Sequence, residues 1–321
     1  MIKLKQTDLR LLTYLYQHNR ESIAKIAKTI NLSREQVDYR IKKYEADGII
    51  KSYVPIIRYS KLGYNNLIIL MIKFQKPSCK EEFHKSVVND KHRISSVEIL
   101  AKYDYGMLLI FKDEREKNEY IMKLLEKNKK RIADHHVVEP YHINLYPLKI
   151  IDAKNNEGYI WIDYHKGEAK IDEKDRKILY LLNKNARMRI IDIAKKTNLS
   201  AELIIYKLKK LRKEGIFLGS RTVLNVSKLG YYYTALQINM EKLSQSISER
   251  LADFAKKSPN IDTFYLSITK PNCQMQLFHK DEAELREVIK NLKKAFSEES
   301  FSIEILPIAS EGEDINTIPF I

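Results

Sequence analysis

The chain has 321 residues, 44% of them hydrophobic, and a formal charge of +15 at pH 7. That length and apolar content suit two or more folded domains, and the excess of Lys and Arg makes a polyanion the first partner to consider, ahead of an anionic membrane surface. Cys79 and Cys273 form neither a CxxC pair nor a disulfide framework, so a reducing, cytoplasmic setting is expected, with no metal site. The longest apolar run, residues 67–72, is far short of the roughly 20 residues of a membrane-spanning helix, and residues 1–8 do not read as a signal peptide.

In chain order, Leu9, Leu11, Leu12 and Leu15 recur at helical spacing behind Thr7 and Asp8, which predicts a first helix to about His18. A second helix follows, capped by Ser22, with Ile23, Ile26, Ala27 and Ile30 on one face and a turn at Asn31-Leu32. Ser33 caps a third, whose inward stripe is Val37, Ile41 and Tyr44, and Gly48 supplies the left-handed residue that stops it. Residues 49–59 read as a short strand pair. The whole predicts a three-helix helix-turn-helix with a wing over residues 1–62.

From residue 63 the pattern changes. Strands are expected at 67–74, 95–100, 107–111 and 137–145, and helices at 81–89 and 113–130. The order βαββαβ is that of a ferredoxin-like module over 63–148, whose sheet leaves one face to be covered. A linker is expected over 149–170, most linker-like at Asn155-Asn156-Glu157-Gly158, with 159–164 a candidate extra strand that holds Trp161, the single tryptophan.

The rest of the chain repeats this series. Residues 8–64 realign without a gap on 175–231, a shift of 167, with 22 of 57 positions identical, too many for shared composition. Asn31-Leu32-Ser33 meets Asn198-Leu199-Ser200, and Ser60 to Tyr64 meets Ser227 to Tyr231. Phe111 and Phe278 keep the same shift. A second helix-turn-helix is therefore expected over 171–229, its wing at 216–226, and a second ferredoxin-like module over 230–321. The fold class is α+β, two tandem units, and the two modules are expected to pack on each other within one chain, with further homo-oligomers open.

The outward side of the third helix suggests a function. With Val37 and Ile41 inward, Gln36, Tyr39 and Lys43 face away from the core, near Ser33, Arg34, Arg40 and Lys42. Arg and Gln can make bidentate contacts to guanine and adenine edges, while Lys, Tyr and Ser can hold phosphates. In the second copy Ala201, Leu203 and Ile205 replace Arg34, Gln36 and Asp38, so base readout should be poorer there. Ser200, Tyr206, Lys207, Lys209, Lys210, Lys213 and Arg221 suit sequence-independent phosphate contact instead; the competing reading is a purely structural helix, with Leu203 a packing surface against the rest of the chain. Double-stranded DNA is the expected partner.

These residues carry a family resemblance. Asp8 to Leu12, then Asn31-Leu32-Ser33, then Val37, Arg40, Ile41, Tyr44 and Gly48-Ile49-Ile50, followed by βαββαβ, resemble the Lrp/AsnC transcriptional regulators, over nearly the whole chain and twice. The resemblance implies DNA binding through the helix after Ser33 and association through ferredoxin-like modules of the RAM type; the sequence itself offers no Gly-rich phosphate loop or activated nucleophile, so no cofactor or catalytic residue is expected. The resemblance further implies a small-molecule effector held at a Gly-x-x-Asp turn; the matching stretch, 101–104, keeps Asp104, beside Tyr103, and lacks the glycine. Two other readings compete. Siroheme decarboxylases resemble the same regulators and would draw His135, His136, His142 and His279 toward a tetrapyrrole. An architectural protein that coats DNA would bind with little sequence preference.

Overall fold

A computed structural model describes residues 4–149, 160–163, 169–311 and 315–321. The first unit opens with α1 (Gln6–His18), α2 (Ile23–Ile30) and α3 (Arg34–Ala46). Ser22 Oγ accepts from the Lys25 N–H, and Ser33 and Gln36 form a reciprocal capping box at the start of α3, which satisfies amides that the helix itself leaves unpaired. Asn31, in the left-handed region at φ 58°, ends α2, and Gly48 at φ 63° follows α3. Next come β1 (Ile50–Ile57), β2 (Asn66–Phe74), α4 (Cys79–Val87), β3 (Arg93–Ile99), β4 (Tyr105–Phe111), α5 (Glu114–Lys127), β5 (Ile132–Val138), β6 (Pro140–Leu145) and β7 (Ile160–Asp163). The second unit comprises α6 (Glu173–Lys184), α7 (Ile190–Thr197), α8 (Ala201–Lys213), β8 (Phe217–Leu224), β9 (Tyr232–Met240), α9 (Gln245–Lys257), β10 (Ile261–Ser267), β11 (Cys273–His279), α10 (Glu282–Ala295) and β12 (Phe301–Glu311).

The helices lie where the apolar spacing puts them. The wings do not. Each expected strand pair is a single strand, and the two strands, β1 and β8, pair antiparallel with each other to make a ribbon between the units. The extra strand at 159–164 appears as β7, paired with β6, while Asn155 to Gly158 lie outside the described residues.

The last strand of the first module, expected at 137–145, is two strands divided at Glu139. β5 pairs with β2 of its own unit, and β6 then crosses to pair with β10 of the other. β12 does the same in one continuous strand, pairing with β9 up to Ile308 and with β3 from Ile308 onward. The exchange joins both modules into one ten-stranded sheet, ordered β5-β2-β4-β3-β12-β9-β11-β10-β6-β7. Helices cover one face of each half: Phe83, Val87 and Leu124 pack on Ile68, Leu70 and Phe111 in the first, and Leu251, Val288 and Leu292 on Leu236, Met275 and Leu277 in the second. The opposite faces turn toward each other, as Met71 and Gln237 show, with Sδ and Nε2 3.2 Å apart.

Phe111 and Phe278, which keep the offset of 167 in the sequence, are not structural counterparts. Phe111 packs beneath the helices of its own module, whereas Phe278 points into the space between the two halves. The strands have slipped: β2 and β9 begin 232 − 66 = 166 residues apart, β4 and β11 273 − 105 = 168. One residue of slip exchanges the faces of a strand.

The hydrophobic cores are crossed as well. The core of α1 to α3 is continuous with Leu224, Tyr233 and Phe278 of the second unit, and that of α6 to α8 with Ile57, Leu67 and Ile110 of the first. Each helical domain therefore rests on apolar surface supplied by the other unit.

Candidate nucleic-acid interface

At the start of α3 the capping box orders the residues that would meet DNA. Ser33 Oγ accepts from the Gln36 N–H at 3.2 Å, and Gln36 Oε1 accepts from the Ser33 N–H at 3.1 Å. Gln36 thus enters with its carbonyl oxygen occupied and its amide NH2 outward. Arg34, Gln36, Lys42 and Lys43 are exposed, and Tyr39 is 66% exposed. Lys42 Nζ lies 2.6 Å from Asp38 on the same helix, a solvated pair of little strength that a phosphate can replace.

Arg40 does not share this face. Its guanidinium is bound to Asp8 at the head of α1, and the Tyr44 hydroxyl donates to the same carboxylate at 2.5 Å. Burial opposes ionisation of Asp8, but Tyr44, the Lys5 N–H and Arg40 outweigh it and hold its pKa below the usual value. Arg40 therefore locks α3 to α1, which corrects its assignment as a DNA contact. The Asp-to-Arg spacing of 32 residues carried no local signal for this.

The second helix-turn-helix presents a different surface. Tyr206 is 62% exposed, Lys209 and Lys213 are exposed, and Ser200 Oγ caps α8 through the Leu203 N–H at 3.2 Å. Two expected contacts are withdrawn. Lys207 is buried between Asp172, to which it is bound, and Asp175 at 3.1 Å; its hydrogen bond holds the Asp172 pKa down to about 2. Arg221 is bound to the buried Asp262 and to the Tyr16 hydroxyl, inside the molecule. Lys210, half-buried, faces Asp175 and Glu214 at 4.0 and 3.8 Å. Lys195 and Lys196 are exposed in the last turn of α7, the helix that precedes α8.

The expected effector turn is also committed elsewhere. Asp104 accepts from the Phe74 N–H at 2.8 Å and from Lys73 Nζ at 2.9 Å, and Tyr103 is buried among Met71, Ile99 and Leu306. Both residues brace the sheet.

The four histidines are dispersed. His136 Nε2 meets the Lys270 carbonyl at 3.1 Å, His142 edges against Phe264, and buried His279 meets Thr234 Oγ1 at 2.9 Å and the Asp281 carbonyl at 2.9 Å. His135 faces outward on β5.

A winged helix-turn-helix DNA-binding family model matches residues 4–51 and 171–217. The regulator LrpA of Pyrococcus horikoshii is 32% identical over 124 residues, covering 38% of this chain and 84% of that protein. The chain belongs to the Lrp/AsnC family of transcriptional regulators. The helix-turn-helix of the family is matched twice, once in each unit. An uncharacterised HTH-type regulator of Pyrococcus furiosus is 27% identical over 124 residues, 39% of this chain and 83% of that one. Among solved structures, the siroheme decarboxylase NirDL matches 98% of this chain and 96% of its own with a TM-score of 0.63, at 15% identity, so this Lrp/AsnC protein shares the two-unit fold with that enzyme. Among the described residues, no helix is long and apolar enough to cross a membrane.

Proposed function

We propose that this Lrp/AsnC regulator binds an asymmetric DNA site, with α3 reading base edges in one half and α8 holding phosphates in the other. The observation that carries the reading is the contrast between the two exposed helix faces. On α3, Arg34 and the free NH2 of Gln36 can address guanine and adenine edges beside Tyr39 and Lys43. On α8 the corresponding positions are Ala201 and Leu203, while Lys209, Lys213 and the neighbouring Lys195 and Lys196 offer charge without a base code. In a family that works through paired helix-turn-helix domains, unequal halves read an operator that is not palindromic.

The experiment is site selection from a random DNA pool, followed by titration of the selected and scrambled duplexes. Arg34→Ala with Gln36→Ala should lower affinity for the selected site about tenfold or more and leave scrambled DNA nearly unchanged. Lys209→Ala with Lys213→Ala should weaken both duplexes alike. Equal loss of preference from the two pairs would refute the division of labour. Binding that prefers no duplex even in the unaltered protein would favour the DNA-coating reading.

A further inference from the structure

Between the facing halves of the sheet lies a cavity of about 220 Å³, roofed by Val54, Ile56 and Val223 of the β1–β8 ribbon. We propose that it is a binding site for a small, mainly apolar molecule, about the size of one substituted aromatic ring, that carries a single hydrogen-bond acceptor.

The size sets the first limit. A dry, apolar protein cavity of about 150 Å³ accommodates benzene, so this one has room for a ring and a short substituent. The two walls set the chemistry. In the first unit the inward cross-strand pairs are Ile69 with Leu108 and Met71 with Gly106, an apolar surface continued by Leu67. At the structurally matching places in the second unit stand Ala235 with Gln276 and Gln237 with Gln274. The duplication has thus left one wall apolar and made the other polar.

The glutamines are held in a specific way. Gln274 Oε1 accepts from Gln237 Nε2 at 3.1 Å, and Gln276 Oε1 accepts from the Tyr233 hydroxyl at 2.7 Å. Both carbonyl oxygens are taken, which leaves the two NH2 groups. Neither has a partner among the described residues, and Gln274 is only 7% exposed. Positions 274 and 276 fall on the same face of β11, two residues apart, so their donors converge on one side of the cavity. Both residues line the cavity, so an acceptor on the ligand can take hydrogen bonds that no protein atom takes. Arg221 contributes no free charge, being bound to Asp262. A ligand with a neutral acceptor therefore matches this wall, with its apolar part against Ile69 and Leu108.

The test uses the full chain with labelled Ile, Leu and Val methyl groups, titrated by NMR with acetophenone and with α-methylstyrene, which replaces the carbonyl oxygen by a CH2 group of similar shape. Both should shift the Ile69 and Leu108 methyls saturably, acetophenone about tenfold more tightly. Gln274→Met with Gln276→Met should abolish that preference and retain α-methylstyrene. Leu108→Phe, which fills the cavity, should eliminate both; Ala235→Val serves the same purpose if the first variant does not fold. The proposal is overturned if neither probe gives saturable shifts at these methyls, if the two bind equally well, or if the preference survives the glutamine substitutions. DNA is absent from the titration, so the result is independent of how the helices read an operator.

Discussion

Val54 stands directly opposite Arg221 in the β1–β8 ribbon. The two are counterparts in the duplication, 221 − 54 = 167, so the pseudo-two-fold axis passes between them. The flanking register obeys the same symmetry: Tyr53 faces Thr222, Pro55 faces Ser220, and the Arg58 N–H donates to the Ile216 carbonyl at 3.0 Å as the Asn225 N–H donates to Ile49 at 2.8 Å. In a dimer of identical chains each residue on the axis meets itself. Fusion removed that constraint, and one guanidinium now faces a valine and pairs with a single carboxylate.

This arrangement predicts a thermodynamic cycle. Arg221→Val strands the buried Asp262 carboxylate and should cost about 3 to 5 kcal/mol. Adding Asp262→Ile, which copies the residue at the matching position of the first unit, Ile94, should recover most of that loss, because an apolar replacement of a buried pair is often neutral or better. Urea denaturation midpoints would measure it. Losses that simply add would show that the two side chains do not depend on each other.

Arg40 should matter for folding more than for reading DNA. Arg40→Ala is expected to lower the unfolding midpoint clearly more than Lys43→Ala, without changing which duplex is preferred. The linked pH dependence follows from Asp8, whose folded pKa lies below its unfolded value. Its contribution is fully present above the unfolded pKa of about 3.9 and is lost as pH falls through the folded one. Asp8→Asn should therefore flatten the acid limb of the stability curve, measured by thermal melts between pH 7 and pH 3.

DNA binding should be steeply sensitive to salt. With about 6 to 10 phosphates neutralised by the two basic surfaces, affinity is expected to fall about a thousandfold or more between roughly 50 and 200 mM monovalent salt. Fluorescence anisotropy on a labelled duplex checks this. A nearly flat titration would remove phosphate contact from the account of α8.

The crossed cores predict that the halves depend on each other. Residues 1–149 and 169–321 made separately each lack the apolar surface on which their helical domain rests, and each loses a strand partner of its β-sheet. Light scattering and methyl NMR should find either half alone self-associated or poorly packed, and the mixed halves as a well-dispersed one-to-one complex. A half that is monomeric and well packed by itself would contradict the exchange.

What the sequence determined by itself is the local part. Helix positions, the Ser22, Ser33 and Ser200 caps, the stop at Gly48 and the βαββαβ order are written in spacings of four residues or fewer, and the unbroken match from Asp8 to Tyr64 made the duplication legible. The tertiary structure decided whatever depended on partners far along the chain. A strand reads the same whether its neighbour lies in its own unit or the other, so the ribbon and the exchanged ends of β6 and β12 had no local signature. A strand face reverses with a single residue of slip, which parted Phe111 from Phe278. A basic side chain looks alike in sequence whether it meets solvent or a buried carboxylate; the contacts of Arg40 with Asp8, Lys207 with Asp172 and Arg221 with Asp262 turned three apparent DNA contacts into internal ties, because a cation beside a desolvated carboxylate is held there more firmly than it is by water.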